Sequence, residues 1–444
     1  MVSVALPVGA SSQTLTQSLA AAYNNNPDLN FARSQLREVD ENIAIARSGN
    51  RPELVAGINQ SLQTTRTILS TGTNGTRSAP TTLSLQLTQP LFRGFQTRNS
   101  IRAAESAVRA QTSSLNNTEQ NVLLNTVTSF FDVIQFRQVV ELRRSDVSFL
   151  AAQVSAAQDR FEVGEGTRTD VSQAEARQAE AESLLNIAVA ELETAEATYR
   201  QLTGLPAGTL RNDISETRFL APSLAAAIDA GQNNHPAIIA TLHDVDTASF
   251  QVATLEGRFL PTLALVGEAN TAFNGSSGFN QRDSASVSLD LSIPIYQGGR
   301  VSAEVRQAKE ALGSSRIQVD ITRDQVRQFT VSSWAQFQAS VRSIQTSRTG
   351  VFAAQLALQG VIEEQRVGQR TTLDVLDSQR DVVSAQLTLV DAERNRDVAA
   401  YTVLAAMGRL NAARLTLPVS VYQPQEHTDA VRDKWFGTST PDGR

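Results

Sequence analysis

The side chains whose types and spacing suggest chemistry lie in two short stretches, 160–171 (RFEVGEGTRTDV) and 365–377 (QRVGQRTTLDVLD). Aligned on their Val-Gly pairs, Gly164 meets Gly368 and Asp170 meets Asp374, each 204 positions apart. Each stretch interrupts two long helical patterns rich in Ala and Gln. Glycine frees the backbone to end one helix, and Thr followed by Asp suits the start of the next. The spacing predicts a helix-turn-helix tip once per half-chain, with carboxylates at its mouth, and this is the expected functional end. It offers no catalytic constellation. There is no cysteine, which removes disulfides, thiol catalysis and Cys-ligated metal from this sequence, and a lipoprotein anchor is not expected. The three histidines, His235, His243 and His427, show no metal-ligand spacing and read as ordinary surface or packing residues. An enzyme is the least expected class, and neither metal nor cofactor is implied.

The elements that must position these tips come in two copies. Pro27 in NNPDL returns as Pro236 in NHPAI and Pro52 as Pro261, both at an offset of 209; Pro90, Gly94 and Gly204 return as Pro294, Gly298 and Gly408, at 204. The change of offset places a five-residue deletion between Pro261 and Pro294, in a predicted hairpin loop where length changes are tolerated. The first repeat, 11–220, reads as helix 13–48, strands 53–66 and 81–90, long helix 97–160, tip turn 161–169 and helix 170–203. The second, 221–410, reads as helix 223–256, strands 262–273 and 285–294, long helix 301–365, tip turn 366–371 and helix 372–407. Residues 411–444 form a C-terminal segment, and 1–10 resemble the tail of a secretory signal.

With 444 residues, more than one structural region is expected. Mean hydropathy is -0.20 and no long apolar run encodes a transmembrane helix. A net charge of -6 gives no reason to expect nucleic-acid binding. The strands tell a different story. Leu83, Leu85 and Leu87 alternate with Thr82, Ser84, Gln86 and Thr88, and Val287, Leu289, Leu291 and Ile293 with Ser286, Ser288, Asp290 and Ser292. Their partners are separated from them by Gly-, Ser-, Thr- and Asn-rich loops at 70–79 and 274–284. Four such strands in matching copies suit a membrane β-barrel, yet the smallest barrels need about eight. The barrel must therefore be shared, with two chains supplying eight strands or three supplying twelve.

The proline-free helical patterns 97–160 and 301–367 would each extend roughly 95 Å at about 1.5 Å per residue. In the shorter helices, Val171, Ala174, Ala181, Ala188, Ala195 and Tyr199 keep a heptad frame, and Val375, Val382, Ala392, Ala399 and Val403 keep it in the second copy. A second stripe through Leu373, Leu376, Val383, Leu387, Tyr401 and Leu404 gives that helix a neighbour on each side. Staves of this kind close into a hollow cylinder.

With its twofold repeat, its PLFRG and PIYQGG strand-to-helix turns and its two tips, the chain resembles the TolC-like outer membrane efflux protein family over nearly its whole length. The ending VYQPQEHTDAVRDKWFG resembles that of the α-proteobacterial branch. The resemblance implies a mixed α and β homotrimer: a 12-strand outer-membrane barrel, four strands per chain, continued by a long periplasmic α-helical barrel. It implies a passive exit duct of tripartite efflux pumps or type I secretion. Its partners would be a periplasmic adaptor, an inner-membrane RND or ABC transporter, and outer-membrane lipid. It places Asp374 and Asp377 inward as a cation-selective constriction whose mutual repulsion raises some of their pKa values. It makes Arg370, Thr169 and Asp170 the gate links, so that replacing Arg370 would raise conductance. It makes Val163, Gly164, Val367 and Gly368 the adaptor-contacting turns. Gln365 stands where the family has a gating tyrosine. The remaining alternative is a periplasmic coiled-coil scaffold or adaptor without a pore; the scaffold leaves the strands unexplained, and the adaptor needs lipoyl-like β segments that the chain lacks.

Overall fold

The computed structural model describes residues 13–213, 220–274, 280–441 and 443; the signal-like stretch 1–10 lies outside them. They fall into two compact units, each assembled from several chain segments.

One unit gathers residues up to Ser34, Ser113–Ile239 and Ile321–Tyr422. A two-residue strand β1 (Gln13–Thr14) leads into α1 (Leu15–Asn25), and α2 (Pro27–Ser48) begins here. The long helix α3 (Gln96–Glu162) and α4 (Arg168–Thr203) follow, then β6 (Leu210–Arg211), which pairs in parallel with β1. Next come α5 (Leu224–Asn234), α6 (Pro236–Glu256), the long α7 (Arg300–Arg366) and α8 (Thr372–Ala406). The core holds Leu15, Leu19, Leu123, Phe130, Tyr199, Tyr401 and Leu404, all fully buried. The Tyr199 hydroxyl is partnered inside it by Ser18 Oγ at 2.7 Å. Ala174, Ala181, Ala188 and Ala195 are buried at seven-residue spacing, small enough for α4 to lie close against its neighbours. On α8 both stripes bury side chains, Val375, Val382 and Ala399 on one, Leu376, Val383 and Leu404 on the other.

The helices expected to be continuous over 13–48 and 223–256 are each broken once. Asn26 and His235 precede a proline, which bars them from helical geometry, and both are extended, at ψ 126° and 125°. Each side chain then caps the helix after it. Asn26 Oδ1 accepts from the Asp28 and Leu29 amides, and His235 Nδ1 accepts from the Ala237 amide at 3.2 Å. His235 is therefore more than a packing residue. It is buried beside Gln120, 3.4 Å from its Nε2, and burial pushes the imidazole down to about 4. A base depressed in the folded state contributes stability that is complete above its unfolded value near 6.5 and is lost as pH falls from there toward about 4. The loss should approach ~3 kcal/mol at the acid end. Asn substitutes for the cap without titrating, as Asn26 shows. The thermal midpoint of wild type should thus fall more steeply between pH 7 and pH 4 than that of His235→Asn, and parallel curves would count against this role.

The other unit gathers Gln35–Thr112, Ala240–Asp320 and Gln423–Arg444. Its sheet runs β2 (Glu53–Gln60), β5 (Thr81–Arg93), β7 (Thr262–Phe273), β8 (Gln281–Ser292), antiparallel throughout. One face carries Leu54, Ile58, Leu83, Leu85, Val287 and Leu289; the other carries Ser84, Gln86, Glu268, Asn270, Ser288 and Asp290. β8 is exposed along its whole length, and among the described residues nothing pairs with the outer edges of β2 and β8. The sheet differs from expectation at its far end. The stretch 70–79 is not a loop: β3 (Gln63–Leu69) and β4 (Gly72–Ser78) form a hairpin, so the strand expected over 53–66 is divided at 61–62. Thr supplies the β-propensity that a Gly- and Asn-rich composition conceals, and the two residues Ser70 and Thr71 reverse the chain between paired Leu69 and Gly72. β8 likewise starts at Gln281, inside the expected 274–284 loop, of which 275–279 are outside the described residues. β5 continues to Arg93 through an irregularity between Pro90 and Phe92, where proline cannot donate to the ladder. The glycine of PLFRG then turns the chain into α3 at φ 58°, so close to Gly257 that a Cβ would meet its carbonyl oxygen at 2.2 Å.

The C-terminal helix α9 (Pro424–Val431) docks on α2 within this unit. His427 Nδ1 and Thr428 Oγ1 reach the two oxygens of buried Asp40 at 2.8 and 2.9 Å. Arg47 pairs with Asp433, and Arg51 stacks 4.8 Å over Trp435. His427 is thus a partner in a buried polar cluster rather than a surface residue.

Candidate functional site

Both tips close by the same local chemistry. At the first, Gly164 adopts φ 81°, with the Gly164 and Glu165 amides donating to Phe161 and Arg160 carbonyls. At the second, Gly368 adopts φ 77°, and the Gly368 and Gln369 amides donate to Gln365 and Glu364. A Cβ at either glycine would meet nothing within 4 Å, so the left-handed backbone alone demands glycine. Val163 and Val367 beside them are 72% and 71% exposed, apolar side chains held out where no described residue covers them.

Capping boxes start the next helices. Thr167 Oγ1 accepts from the Asp170 amide at 3.2 Å while Asp170 Oδ2 accepts from the Thr167 amide at 3.0 Å; Thr371 and Asp374 repeat this at 3.2 and 2.8 Å. The hydrogen bonds from Thr371 hold the Asp374 carboxyl below the usual carboxylate range, and those from Thr167 do the same for Asp170. Within one chain capping thus lowers Asp374; repulsion between copies around an axis would act in the opposite direction.

Arg370 does not meet Thr169 or Asp170 in the same chain. Its Nε donates to Glu364 Oε2 at 2.8 Å, and its Nη1 lies 4.0 Å from Asp374, so its bonds stay inside its own turn. Thr169 is exposed on the first turn of α4, and Asp170 is engaged by Thr167. Gln365 Nε2 donates to Thr372 Oγ1 at 3.3 Å, again across the turn.

The link between helices runs instead through a residue the sequence reading missed. Arg177 on α4 reaches Asp377 on α8 at 3.1 Å and Glu180 at 3.0 Å; Arg380 adds a second contact to Asp377 at 3.6 Å. Asp377 is therefore a paired carboxylate, not a free one. Just inside, buried Asp146 on α3 accepts from Gln379 Nε2 at 2.9 Å. Below these pairs Leu150, Val154, Ala157, Ala174, Ala181 and Leu376 form a packed cluster. The three helices enclose a cavity of about 250 Å³ lined by Asp146, Arg177, Gln379 and Arg380. Arg177 stands one heptad after Asp170 in the Ala174–Ala181 frame, the only sequence signal that could have pointed to it. Among the described residues no cluster could hold a metal ion, and no helix is long and apolar enough to cross a membrane.

A family model described as outer membrane efflux protein matches residues 18–205 and 227–409. The chain belongs to the outer membrane efflux protein family. Among relatives, it is 46% identical to the outer membrane efflux protein BepC of Brucella suis biovar 1, across 98% of this chain and 94% of that one. It is 29% identical to the outer membrane protein TolC of Escherichia coli K12, across 91% and 84%. The fold matches the Campylobacter jejuni CmeC outer membrane channel with a TM-score of 0.80 at 14% identity, across 94% of this chain and 89% of that one. This member of the outer membrane efflux protein family is a mixed α and β protein of the outer membrane. The exposed apolar face of its sheet suits that location.

Proposed function

We propose that this efflux protein works as a homotrimeric exit duct. The observation that carries this reading is the four-stranded sheet, apolar on one face and polar on the other, with both edges open. Unpaired edge groups cost several kcal/mol each in lipid, so the sheet must close with copies of itself. Three copies give a 12-strand barrel with the polar face lining a lumen. The equivalent helix breaks, tips and capping boxes support an internal twofold repeat, which supplies helices of two kinds to a tunnel.

In this reading Asp374 and Asp377 ring the second tip as a cation-selective constriction, and Arg370 reaches Thr169 and Asp170 of a neighbouring copy. The exposed turns at Val163, Gly164, Val367 and Gly368 receive a periplasmic adaptor, which opens the tip on behalf of an inner-membrane RND or ABC transporter. The duct performs no catalysis; energy and choice of cargo come from those partners. Type I secretion is included because a 27% identical relative, from Pseudomonas aeruginosa, is the alkaline protease secretion protein AprF.

The test is insertion of the purified protein into a planar bilayer together with its native mass. A species of three chains giving small, stepwise, cation-selective openings is expected. A folded sample that stays in solution and carries no current would return the chain to a coiled-coil scaffold.

A further inference from the structure

The hairpin beyond the four-stranded sheet keeps the register of the sheet below it. Glu53 opposes Thr88, and ten residues on, Gln63 opposes Ser78, ten residues back, so no residue is gained or lost between β2–β5 and β3–β4. The Ser61 amide bonds the Pro80 carbonyl at 3.1 Å across the gap, where Pro80 itself has no N–H to give. Side-chain alternation therefore runs through unbroken. The face that carries Leu54, Ile58, Leu83 and Leu85 continues outward through Leu62, 82% exposed, to Arg66, Ile68 and Arg77. The opposite face of the hairpin is neutral, with Thr65, Thr67, Asn74 and Thr76.

Arg77 opposes Thr64, two residues before Arg66, which makes the arginines diagonal neighbours about 7–8 Å apart on one face. Neither forms an ion pair with a described residue. Their height follows from the strand. Phe92 marks the inner end of the apolar face, opposite Leu263. Fourteen regular steps separate Phe92 from Arg77 once the irregularity after Pro90 is set aside, or ~46 Å along the strand at ~3.3 Å per residue. At a tilt of ~40–45° this is ~34 Å along the membrane normal, beyond an apolar band of ~25–30 Å. Both arginines then stand at headgroup depth, on the side that faces lipid, with exposed Ile68 between them and the turn.

We propose that Arg66 and Arg77 form a docking site for phosphate-bearing lipid headgroups of the outer leaflet. The site rests on the reading of the sheet as part of a membrane barrel. Charge complementarity and continuity with the lipid-facing leucines select this occupant over a soluble anion, which would not require the pair to share the leucine face.

The experiment uses the full chain in phosphatidylcholine vesicles doped with equal amounts of diphosphoryl and dephosphorylated lipid A. After extraction with an amphipathic copolymer, mass spectrometry reads the ratio of the two lipids retained around the protein. Wild type should enrich the diphosphoryl form, and Arg66→Gln/Arg77→Gln should lower that enrichment about tenfold. Arg66→Glu/Arg77→Glu should lower it further, while Thr65→Gln/Thr76→Gln on the opposite face should leave it intact. Equal ratios for wild type and the Gln pair, with both proteins inserting and conducting, would overturn the site alone. Enrichment abolished by millimolar inorganic phosphate would assign the pair to a soluble anion and overturn the lipid assignment. Failure of wild type to insert would remove the barrel reading and this site with it.

Discussion

Arg177→Ala should raise the open population of the duct about tenfold. Arg177 joins α4 to α8 through Asp377. The pair is partly exposed, at 30% and 41%, so screening limits it to about 0.5 kcal/mol. A concerted opening of three tips releases three such links, ~1.5 kcal/mol in all, and 1.36 kcal/mol is a factor of ten. Weak links suit a gate that must open under an adaptor. Arg370→Ala tests the other restraint, the link to Thr169 and Asp170 of a neighbouring copy, since within one chain Arg370 is held by its own turn. Single-channel recording of the two variants separates the cases. A large effect from Arg370→Ala with none from Arg177→Ala would place the restraint between copies, at Thr169 and Asp170 of the neighbour.

Asp374→Asn/Asp377→Asn should abolish cation selectivity, bringing the potassium-to-chloride permeability ratio down to about one. Asn is chosen over Ala because it can still accept the hydrogen bond from Thr371 and keep the start of α8 intact. The pH dependence carries a second test. A carboxyl held below the usual range keeps its charge as pH falls, and loses it only on passing through that depressed value. Selectivity in the wild type should therefore persist at pH 5. Its disappearance there would mean that repulsion among the copies outweighs the capping bonds and raises the carboxyls instead. Selectivity that survives the double substitution would move the constriction away from this tip.

What the sequence determined by itself is what short-range physics decides. Pro27 and Pro236 forbid helix at the residue before them, and alternation of Leu with Ser and Thr sorts the faces of β5 and β8. Left-handed glycines followed by Thr and Asp mark the tips, because φ, turn and cap are settled within about six residues. Even so, the repeated prolines read in the sequence as landmarks inside helices 13–48 and 223–256 rather than as breaks, and a loop-like composition hides the hairpin at 70–79. Only the tertiary structure decided which charges meet. Arg177 and Asp377 are 200 positions apart in the chain and touch because small residues let α4 and α8 approach. Asp374 Oδ2 accepts from Thr371 at its own helix start, and Arg370 turns back to Glu364. The unbroken register that carries Arg66 and Arg77 onto the lipid face likewise exists only in the pairing of strands. Pattern along a chain specifies which face a side chain takes; a pair energy near RT between distant residues leaves no mark in sequence spacing, and only packing brings such residues together.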